Sequence, residues 1–313
     1  MPTATVLPKA ASTSGIHELA RALRPKQWTK NLLLFAPLLF TINLQWDPAH
    51  PGDFLALLVR VSTAFLLFSL LSSAGYLLND LLDLERDRLH PTKRLRPLAA
   101  GLVSPSLAVA VAGVLAVASA AGGFLLDAAF GALQLVYVAL NVAYSLWLKH
   151  VLLVDVFAVA AGFVLRAVVG GVVIAVPISP WLYLCTLLGA LFLALAKRRA
   201  EFRLLESEAV NHRPALEGYT LPILDQLMAV VTAATVIAYS LYTFTAGNLP
   251  RNGAMMLTIP FVLFGLFRYL YLAQVRDQGG SPEDVLLQDW PLWLTIVLWA
   301  GTALAVLWVF RGV

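Results

Sequence analysis

"NDLLDLERDRLHPTKRLRPLAAG", residues 79–101, follows an apolar run and concentrates charge in a chain that otherwise has little of it. If the run continues as a helix, Asn79, Asp83 and Asp87 fall on one face at i, i+4 and i+8, with Asp80 about 100° to one side. Such crowding of like charges is unfavourable unless a cation neutralises it. Carboxylate and amide oxygens are hard ligands, which Mg²⁺ prefers when it also holds phosphate oxygens. The spacing therefore predicts a Mg²⁺ site that bridges to a diphosphate.

A basic segment, HPTKRLRP (90–97), comes directly after the carboxylates. Its two prolines are expected to break the helix, and Lys93, Arg94 and Arg96 supply donors suited to phosphate. The alternative is a solvated loop whose basic cluster binds lipid headgroups. The regular spacing of the preceding carboxylates favours the metal and phosphate site.

The composition of the whole chain indicates an integral membrane protein. Of its 313 residues, 60% are hydrophobic and 13% are charged, against about 25% charged in soluble domains, and the mean hydropathy is +0.80. The apolar runs are near the ~20 residues of a membrane-spanning helix and do not alternate as barrel strands do. A net charge of +4 that falls at segment ends suits a membrane surface and anionic ligands, not nucleic acid. The single cysteine, Cys185, excludes an internal disulfide framework.

We predict an all-α, polytopic bundle of nine membrane-spanning helices. The expected spans are residues 31–46, 54–78, 105–123, 126–148, 151–176, 180–196, 225–246, 254–275 and 290–310.

Threading these spans alternately puts the three long polar stretches on the same side as the N-terminus, together with most of the 22 Lys and Arg. The positive-inside rule then predicts a cytoplasmic N-terminus and an external C-terminus. Residues 1–22 are expected to be a cytoplasmic tail that leads to an interfacial helix, and residues 23–313 a single transmembrane domain.

The segment NDLLDLERD (79–87) resembles the NDxxDxxxD signature of the UbiA superfamily of intramembrane prenyltransferases. Further segments resemble the branch of that superfamily that consists of decaprenyl-phosphate phosphoribosyltransferases. They are LRPKQWTKNLLLFAPL (23–38), DRLHPTKRLRPLAAG (87–101), YSLWLKH (144–150), GFVLRAVVGG (162–171), AKRRAEF (196–202) and SPEDVLLQD (281–289).

The resemblance implies a nine-helix bundle around a central cavity that is capped by cytoplasmic loops and open laterally to lipid. Enzymes of this branch transfer 5-phosphoribose from phosphoribosyl pyrophosphate to a polyprenyl phosphate, release pyrophosphate and require Mg²⁺. Their lipid product feeds the synthesis of arabinose donors for the cell wall, at a bacterial-type plasma membrane.

Other polar residues lie at or inside the apolar runs. On the resemblance, Lys30, Tyr144 and Lys149 are phosphate donors; without it, Lys149 could simply mark the membrane interface by snorkelling. Asp155 opens an apolar helix, where a carboxylate is expensive unless it is paired, bound to a cation or stabilised by the helix N-terminus. Arg166 lies within a span and is expected to face either substrate in a cavity or an acidic partner.

The stretch after the sixth span is predicted to be a basic loop, with Lys197, Arg198 and Glu201 as substrate-binding candidates. Members of the superfamily that use a prenyl diphosphate usually carry a second aspartate-rich motif there, and this sequence has none. A loop rich in Lys and Arg suits direct binding of phosphate groups and favours the phosphoribosyl reading. Ordinary cytoplasmic positive charge is the alternative for these residues.

On this reading Asp80, Asp83 and Asp87, together with Asn79, hold Mg²⁺ on the pyrophosphate while the anomeric C–O bond breaks. An oxocarbenium-like sugar is attacked by the lipid phosphate, which is already anionic, so no strong general base is required. The expected partners are phosphoribosyl pyrophosphate, the polyprenyl phosphate and the membrane, and a homo-oligomer is left open. The rival functions are an aromatic or quinone prenyltransferase and a transporter of an anionic metabolite.

Overall fold

The structure is a computed structural model that describes residues 15–41, 45–46, 51–89, 92–176, 179–207, 218–247 and 249–310. Within these ranges the secondary structure is helical, and no strand occurs. The α-helices are α1 Gly15–Ala22, α2 Ala36–Leu39, α3 Pro51–Leu82, α4 Leu84–Leu89, α5 Pro105–Leu126, α6 Ala128–Leu146, α7 Val154–Val173, α8 Pro180–Ser207, α9 Leu221–Thr245, α10 Ile259–Gln274, α11 Pro282–Gln288 and α12 Trp290–Val309. The described residues also form four 3-10 helices, at Pro25–Phe35, Lys93–Leu95, Leu148–His150 and Ala254–Thr258.

Eight helices of the described residues are long and apolar enough to cross a membrane, namely α3, α5 to α9, α10 with its preceding 3-10 turn, and α12. They confirm eight of the nine predicted spans. The predicted first span, 31–46, has a different form, because the 3-10 helix Pro25–Phe35 runs into the four-residue α2. A 3-10 helix rises about 2.0 Å per residue, so this pair extends roughly 28 Å, close to the ~30 Å of hydrocarbon. Residues 42–44 of that span lie outside the described residues.

Two helices are longer than the membrane requires. The 32 residues of α3 extend about 48 Å and the 28 residues of α8 about 42 Å, so each projects beyond the hydrocarbon at one end. The prediction that Lys197, Arg198 and Glu201 lie in a loop is therefore wrong, since they belong to the projecting end of α8. The stretch is rich in Ala, Lys, Arg, Glu and Leu, which are strong helix formers, so the helix continues after its apolar residues end.

Several helices begin where the sequence supplies a polar cap, in three of the four cases with a proline in the first turn. Ser104 accepts a hydrogen bond from Leu107 N before Pro105, and Thr220 caps α9 in the same way. Asp127 accepts from two backbone N–H groups at the start of α6, and Asp289 caps α12. These side chains satisfy N–H groups that a helix start leaves without partners, so the sequence itself fixes the helix boundaries.

The predicted tail, residues 1–22, is only partly described, because residues 1–14 lie outside the described residues. Gly15–Ala22 form α1, and its last residue, Ala22, packs in a small apolar cluster with Leu77 of α3 and Leu98. This contact brings α1 against the end of α3 that carries the charged motif.

Helix α7 lies at the centre of the bundle. In its membrane span 61% of the residues are buried, against 11–33% in the other spans. Small residues allow close approach of its neighbours: a Cβ at Gly170 would overlap the carbonyl oxygen of Leu34 in the 3-10 helix. Polar residues on α7 therefore face protein and not lipid.

We expect Gly170→Ala to lower the free energy of unfolding by about 1–3 kcal/mol, because the added methyl group must push the 3-10 helix away from α7. Gly113→Ala in α5 is the matched control, since nothing lies within 4 Å of its Cβ position. The control should be neutral or stabilising by up to about 1 kcal/mol, because alanine favours a helix. Unfolding of both variants in detergent measures the difference, and a Gly170→Ala protein as stable as the wild type would contradict this packing.

Candidate active site

The end of α3 carries a buried carboxylate that is bound by two arginines. Asp80 is 2% exposed, and its Oδ1 accepts hydrogen bonds from Arg24 Nη2 at 2.5 Å and from Arg96 Nη1 at 3.0 Å. The same Arg96 nitrogen donates to Asp87 Oδ2 at 2.5 Å. The two carboxylate oxygens therefore lie no further apart than the sum of the two Arg96 distances, with a guanidinium nitrogen between them.

The other two residues of the motif form a second group. Asp83 Oδ1 lies 3.2 Å from Lys149 Nζ, and Asp83 Oδ2 accepts from Asn79 Nδ2 at 3.2 Å. Asn79 Oδ1 in turn accepts from Ser145 Oγ at 3.2 Å. Lys149 is 6% exposed, so its ammonium group points into the site and does not snorkel along the lipid surface.

The predicted spacing holds for the backbone. Asp83 N donates to Asn79 O at 3.0 Å and Asp87 N to Asp83 O at 2.8 Å, so helical hydrogen bonds cross the junction between α3 and α4. The side chains, however, divide into two pairs: Asp80 with Asp87 around Arg96, and Asn79 with Asp83 beside Lys149. Charge crowding at this helix end is relieved by arginine and lysine, a possibility that the sequence analysis did not consider.

The chemistry of the donors fits a divalent cation. Among the described residues no three His, Cys, Asp or Glu side chains converge as in a preformed metal cage. Mg²⁺ does not require such a cage, because it usually binds through one or two carboxylates and completes its shell with water and phosphate oxygens. Asp80 and Asp87 offer two carboxylates around one point, which is the arrangement that this mode of binding needs.

The contacts of Arg24 and Arg96 with Asp80 were not predicted from the sequence, which indicated Arg96 only as a phosphate donor. Both occur in the tripeptide Leu-Arg-Pro, at 23–25 and 95–97. A following proline disfavours the α conformation, and neither arginine adopts it: Arg24 is left-handed and Arg96 is extended. The repeated tripeptide is the signal that could have indicated them.

A cavity of about 250 Å³ lies beside Asp80. Its lining includes Arg21, Arg24, Arg96 and Asp80. Three arginines and one buried carboxylate therefore line this volume, and Arg21 also pairs with Glu18 at 2.9 Å.

A second charged cluster is centred on Arg198 of α8. Its Nε donates to Asp155 Oδ2 at 2.5 Å, its Nη2 to the Tyr144 hydroxyl at 3.0 Å, and its Nη1 to Glu201. Asp155 is fully buried and also accepts from the Tyr219 hydroxyl at 3.0 Å. Each nitrogen of this guanidinium has a protein acceptor, and these contacts use three of its five N–H groups.

Tyr219 ties the chain before α9 to the start of α7. Burial, followed by the adjacent Asp155 carboxylate, raises the pKa of Tyr219 to about 12. The hydroxyl therefore stays protonated at neutral pH and donates to Asp155, while it accepts from the Leu153 backbone N–H at 3.1 Å. Leu153 has a positive φ of 66°, which is rare for a residue with a branched side chain and marks a strained start of α7.

The two clusters flank the same end of α6, because Tyr144 contacts the Arg198 cluster and the next residue, Ser145, contacts Asn79.

Arg166 lies deeper in the bundle. It donates at 2.7 Å to each of three neutral acceptors, Asn31 Oδ1, Gly162 O and the Tyr137 hydroxyl. Tyr137 is one heptad, roughly 10 Å along α6, from Tyr144.

The remaining predicted residues are placed outside these clusters. Lys93 and Arg94 are exposed on the short 3-10 helix Lys93–Leu95, and Lys197 is exposed on α8. Lys30 donates to Gln27 within the 3-10 helix Pro25–Phe35. The structure thus brings together the acidic motif and Lys149, and it joins Tyr144, Asp155, Arg198 and Glu201 in the adjacent cluster.

The fold and these clusters define a multi-pass helical membrane protein with a charged site at one end of its bundle. Residues 34–284 match the family described as the UbiA prenyltransferase family, and the chain belongs to that family. It is 37% identical over 297 residues to the decaprenyl-phosphate phosphoribosyltransferase of Mycobacterium tuberculosis (strain ATCC 25618 / H37Rv), with 94% of this chain and 95% of the relative covered. The enzyme of the same name from Mycolicibacterium smegmatis is 36% identical, with 92% and 91% covered.

A solved structure supports the same fold. A UbiA homolog from Archaeoglobus fulgidus bound to GPP and Mg²⁺ has a TM-score of 0.67 to this chain at 19% identity, covering 93% of this chain and 100% of that one. The bundle of this chain is therefore of the UbiA type.

Proposed function

We propose that the protein transfers 5-phosphoribose from phosphoribosyl pyrophosphate to a polyprenyl phosphate, decaprenyl phosphate in the first instance, and releases pyrophosphate. The carrying observation is the joint placement of Asp80, Arg24 and Arg96 at one cavity, with Asp87 bound to Arg96, since this set can bind a cation and a phosphate together. The names of the relatives that cover nearly the whole chain supply the identity of the two substrates.

The site binds the donor through its pyrophosphate. Asp80 and Asp87 would hold Mg²⁺, with Asn79 and Asp83 in reach of the same helix end, and the metal would neutralise charge on the leaving pyrophosphate. Arg24 and Arg96 line the cavity and provide fixed positive charge for phosphate oxygens. Lys149 orients Asp83 and adds positive charge beside the acidic motif.

In the transfer, the bond from the anomeric carbon to the pyrophosphate oxygen breaks and a new bond forms to the lipid phosphate oxygen. The nucleophile is already an anion at neutral pH, so the chain is required to position two anionic substrates, not to remove a proton. Three arginines and one acid line the cavity, which suits that task. The site lies at the end of α3 that projects beyond the hydrocarbon, which suits a water-soluble donor. The lipid chain enters from the bilayer.

We further propose that the charged end of the bundle faces the cytoplasm and that the membrane is a bacterial plasma membrane. Threading the spans alternately puts most of the Lys and Arg at the charged end of the bundle, whereas Arg60, which contacts Asp127 at 3.3 Å, lies toward the opposite end. The positive-inside rule then gives a cytoplasmic N-terminus and an external C-terminus.

Purified protein incubated with labelled phosphoribosyl pyrophosphate, Mg²⁺ and decaprenyl phosphate is expected to form a labelled lipid and an equal amount of pyrophosphate. Chelation of the metal should stop both. Parallel reactions with labelled prenyl diphosphate and an aromatic acceptor test the prenyltransferase alternative. Product in those reactions alone would overturn the proposal, and uptake into liposomes without release of pyrophosphate would favour a transporter.

A further inference from the structure

We propose that Arg24 and Arg96 are exchange partners of the acidic pair. In the free protein their guanidinium groups neutralise Asp80 and Asp87; when the divalent cation arrives with its pyrophosphate, the carboxylates pass to the cation and the two arginines turn to the phosphate oxygens. The inference rests on the proposed function for the identity of the anion. It adds to that function a competition between the arginines and the cation for the same carboxylates, and the order in which the partners exchange.

The first support is that the arginine and the cation need the same position. Arg96 Nη1 donates to both Asp80 and Asp87, so it occupies the point between their oxygens. A Mg²⁺ ion binds oxygens at about 2.0–2.1 Å and could not be shared by these two carboxylates while the nitrogen remains there. A metal bound between these two oxygens would therefore displace Arg96, and the guanidinium would need a new anionic partner.

The second support is the difference in exposure between the partners. The Asp80 and Asp87 side chains are 2% and 5% exposed, whereas the Arg24 and Arg96 side chains are each 25% exposed. The acids are fixed in the wall of the site, and the long basic side chains reach them from the open side. The proline that follows each arginine restricts the arginine's backbone. The guanidinium can therefore move by side-chain rotation while its Cα stays in place.

The third support is the cavity into which the arginines would turn. Both line the volume of about 250 Å³ beside Asp80, and Arg21 adds a third guanidinium. Two carboxylates and two arginines balance in the free protein. A divalent cation bound together with a pyrophosphate adds charges of both signs, so the exchange leaves neither the acids nor the arginines without a partner.

The test compares binding of the metal alone with binding of the donor. In Arg96→Gln, Mg²⁺ titrated into the purified protein without donor is expected to bind on the order of tenfold more tightly, because no guanidinium then lies between the two carboxylates and only Arg24 must be displaced. Phosphoribosyl pyrophosphate in saturating Mg²⁺ should bind on the order of tenfold more weakly, because the phosphate loses a charged donor. Isothermal titration calorimetry in detergent measures both constants.

Arg88→Gln is the matched control, since Arg88 pairs with the exposed Glu85 on α4 and should change neither constant. Arg24→Gln is a second variant, expected to move both constants in the same directions by a smaller factor, because Arg24 contacts Asp80 alone and Arg96 stays between the two carboxylates. Weaker metal binding in both variants, or unchanged metal binding, would overturn the exchange. Failure of the wild type to make labelled lipid would overturn the proposed function but would leave the metal titration as a separate result.

Discussion

Asp80→Asn is expected to lower the rate of labelled lipid formation by on the order of 10³-fold, the largest loss among single changes at the site. Removing the charge removes a metal ligand, and metal stabilisation of a leaving group contributes several kcal/mol to lowering the barrier. Asparagine keeps an oxygen in the same place, so Arg24 and Arg96 retain a neutral acceptor and the end of α3 retains its contacts. Initial rates at saturating donor and acceptor, measured over a range of Mg²⁺ concentrations, give the effect.

Glu85→Gln is the control for that change. Glu85 lies five residues further along the same motif, but its side chain is 81% exposed and pairs with the exposed Arg88. It should retain wild-type activity. Normal activity of a folded Asp80→Asn protein would remove Asp80 from the metal site, and equal losses in both variants would show that any loss of acidity in the motif is harmful.

Hydropathy and the spacing of residues within single helices allowed much of the fold and part of the site to be predicted from the sequence. Hydropathy indicated eight helices that the structure contains, because each carries enough apolar residues to be identified without knowledge of its neighbours. The spacing of Asn79, Asp83 and Asp87 likewise indicated helical hydrogen bonds along the motif, and these cross the junction between α3 and α4. A 3-10 helix has no separate hydropathy signature, so the form of the first span was not predicted.

The partners of the charged residues could not be read from the sequence. Arg24 and Asp80 are 56 positions apart, and Arg198 and Asp155 are 43 apart. Such pairs depend on how helices pack, and periodicity within a helix carries no information about it. The end of α8 was misplaced for a different reason: hydropathy ends where the membrane ends, whereas a helix ends only where its backbone hydrogen bonds stop.

Asp155→Asn is expected to lower the free energy of unfolding by about 1–3 kcal/mol, because it removes one of the two carboxylates that neutralise the buried Arg198 charge and leaves only Glu201. The side chains of the pair are 0% and 3% exposed, so water cannot replace the lost partner. Unfolding in detergent by increasing SDS measures the change. Asp225→Asn is the control: Asp225 binds Arg199, but its side chain is 38% exposed, and its loss should cost no more than about 1 kcal/mol.

A double variant decides between a structural and a substrate-binding role for this pair. Replacing both charges, as in Asp155→Leu with Arg198→Met, removes the buried ions together and should restore much of the stability, since an apolar pair of similar volume is often neutral or better. If the pair acts through packing, the double variant recovers donor affinity along with stability. If Arg198 binds phosphate directly, the double variant folds stably and still binds phosphoribosyl pyrophosphate poorly, because Tyr144 and Glu201 then surround a methionine and the positive charge that the phosphate needs is gone.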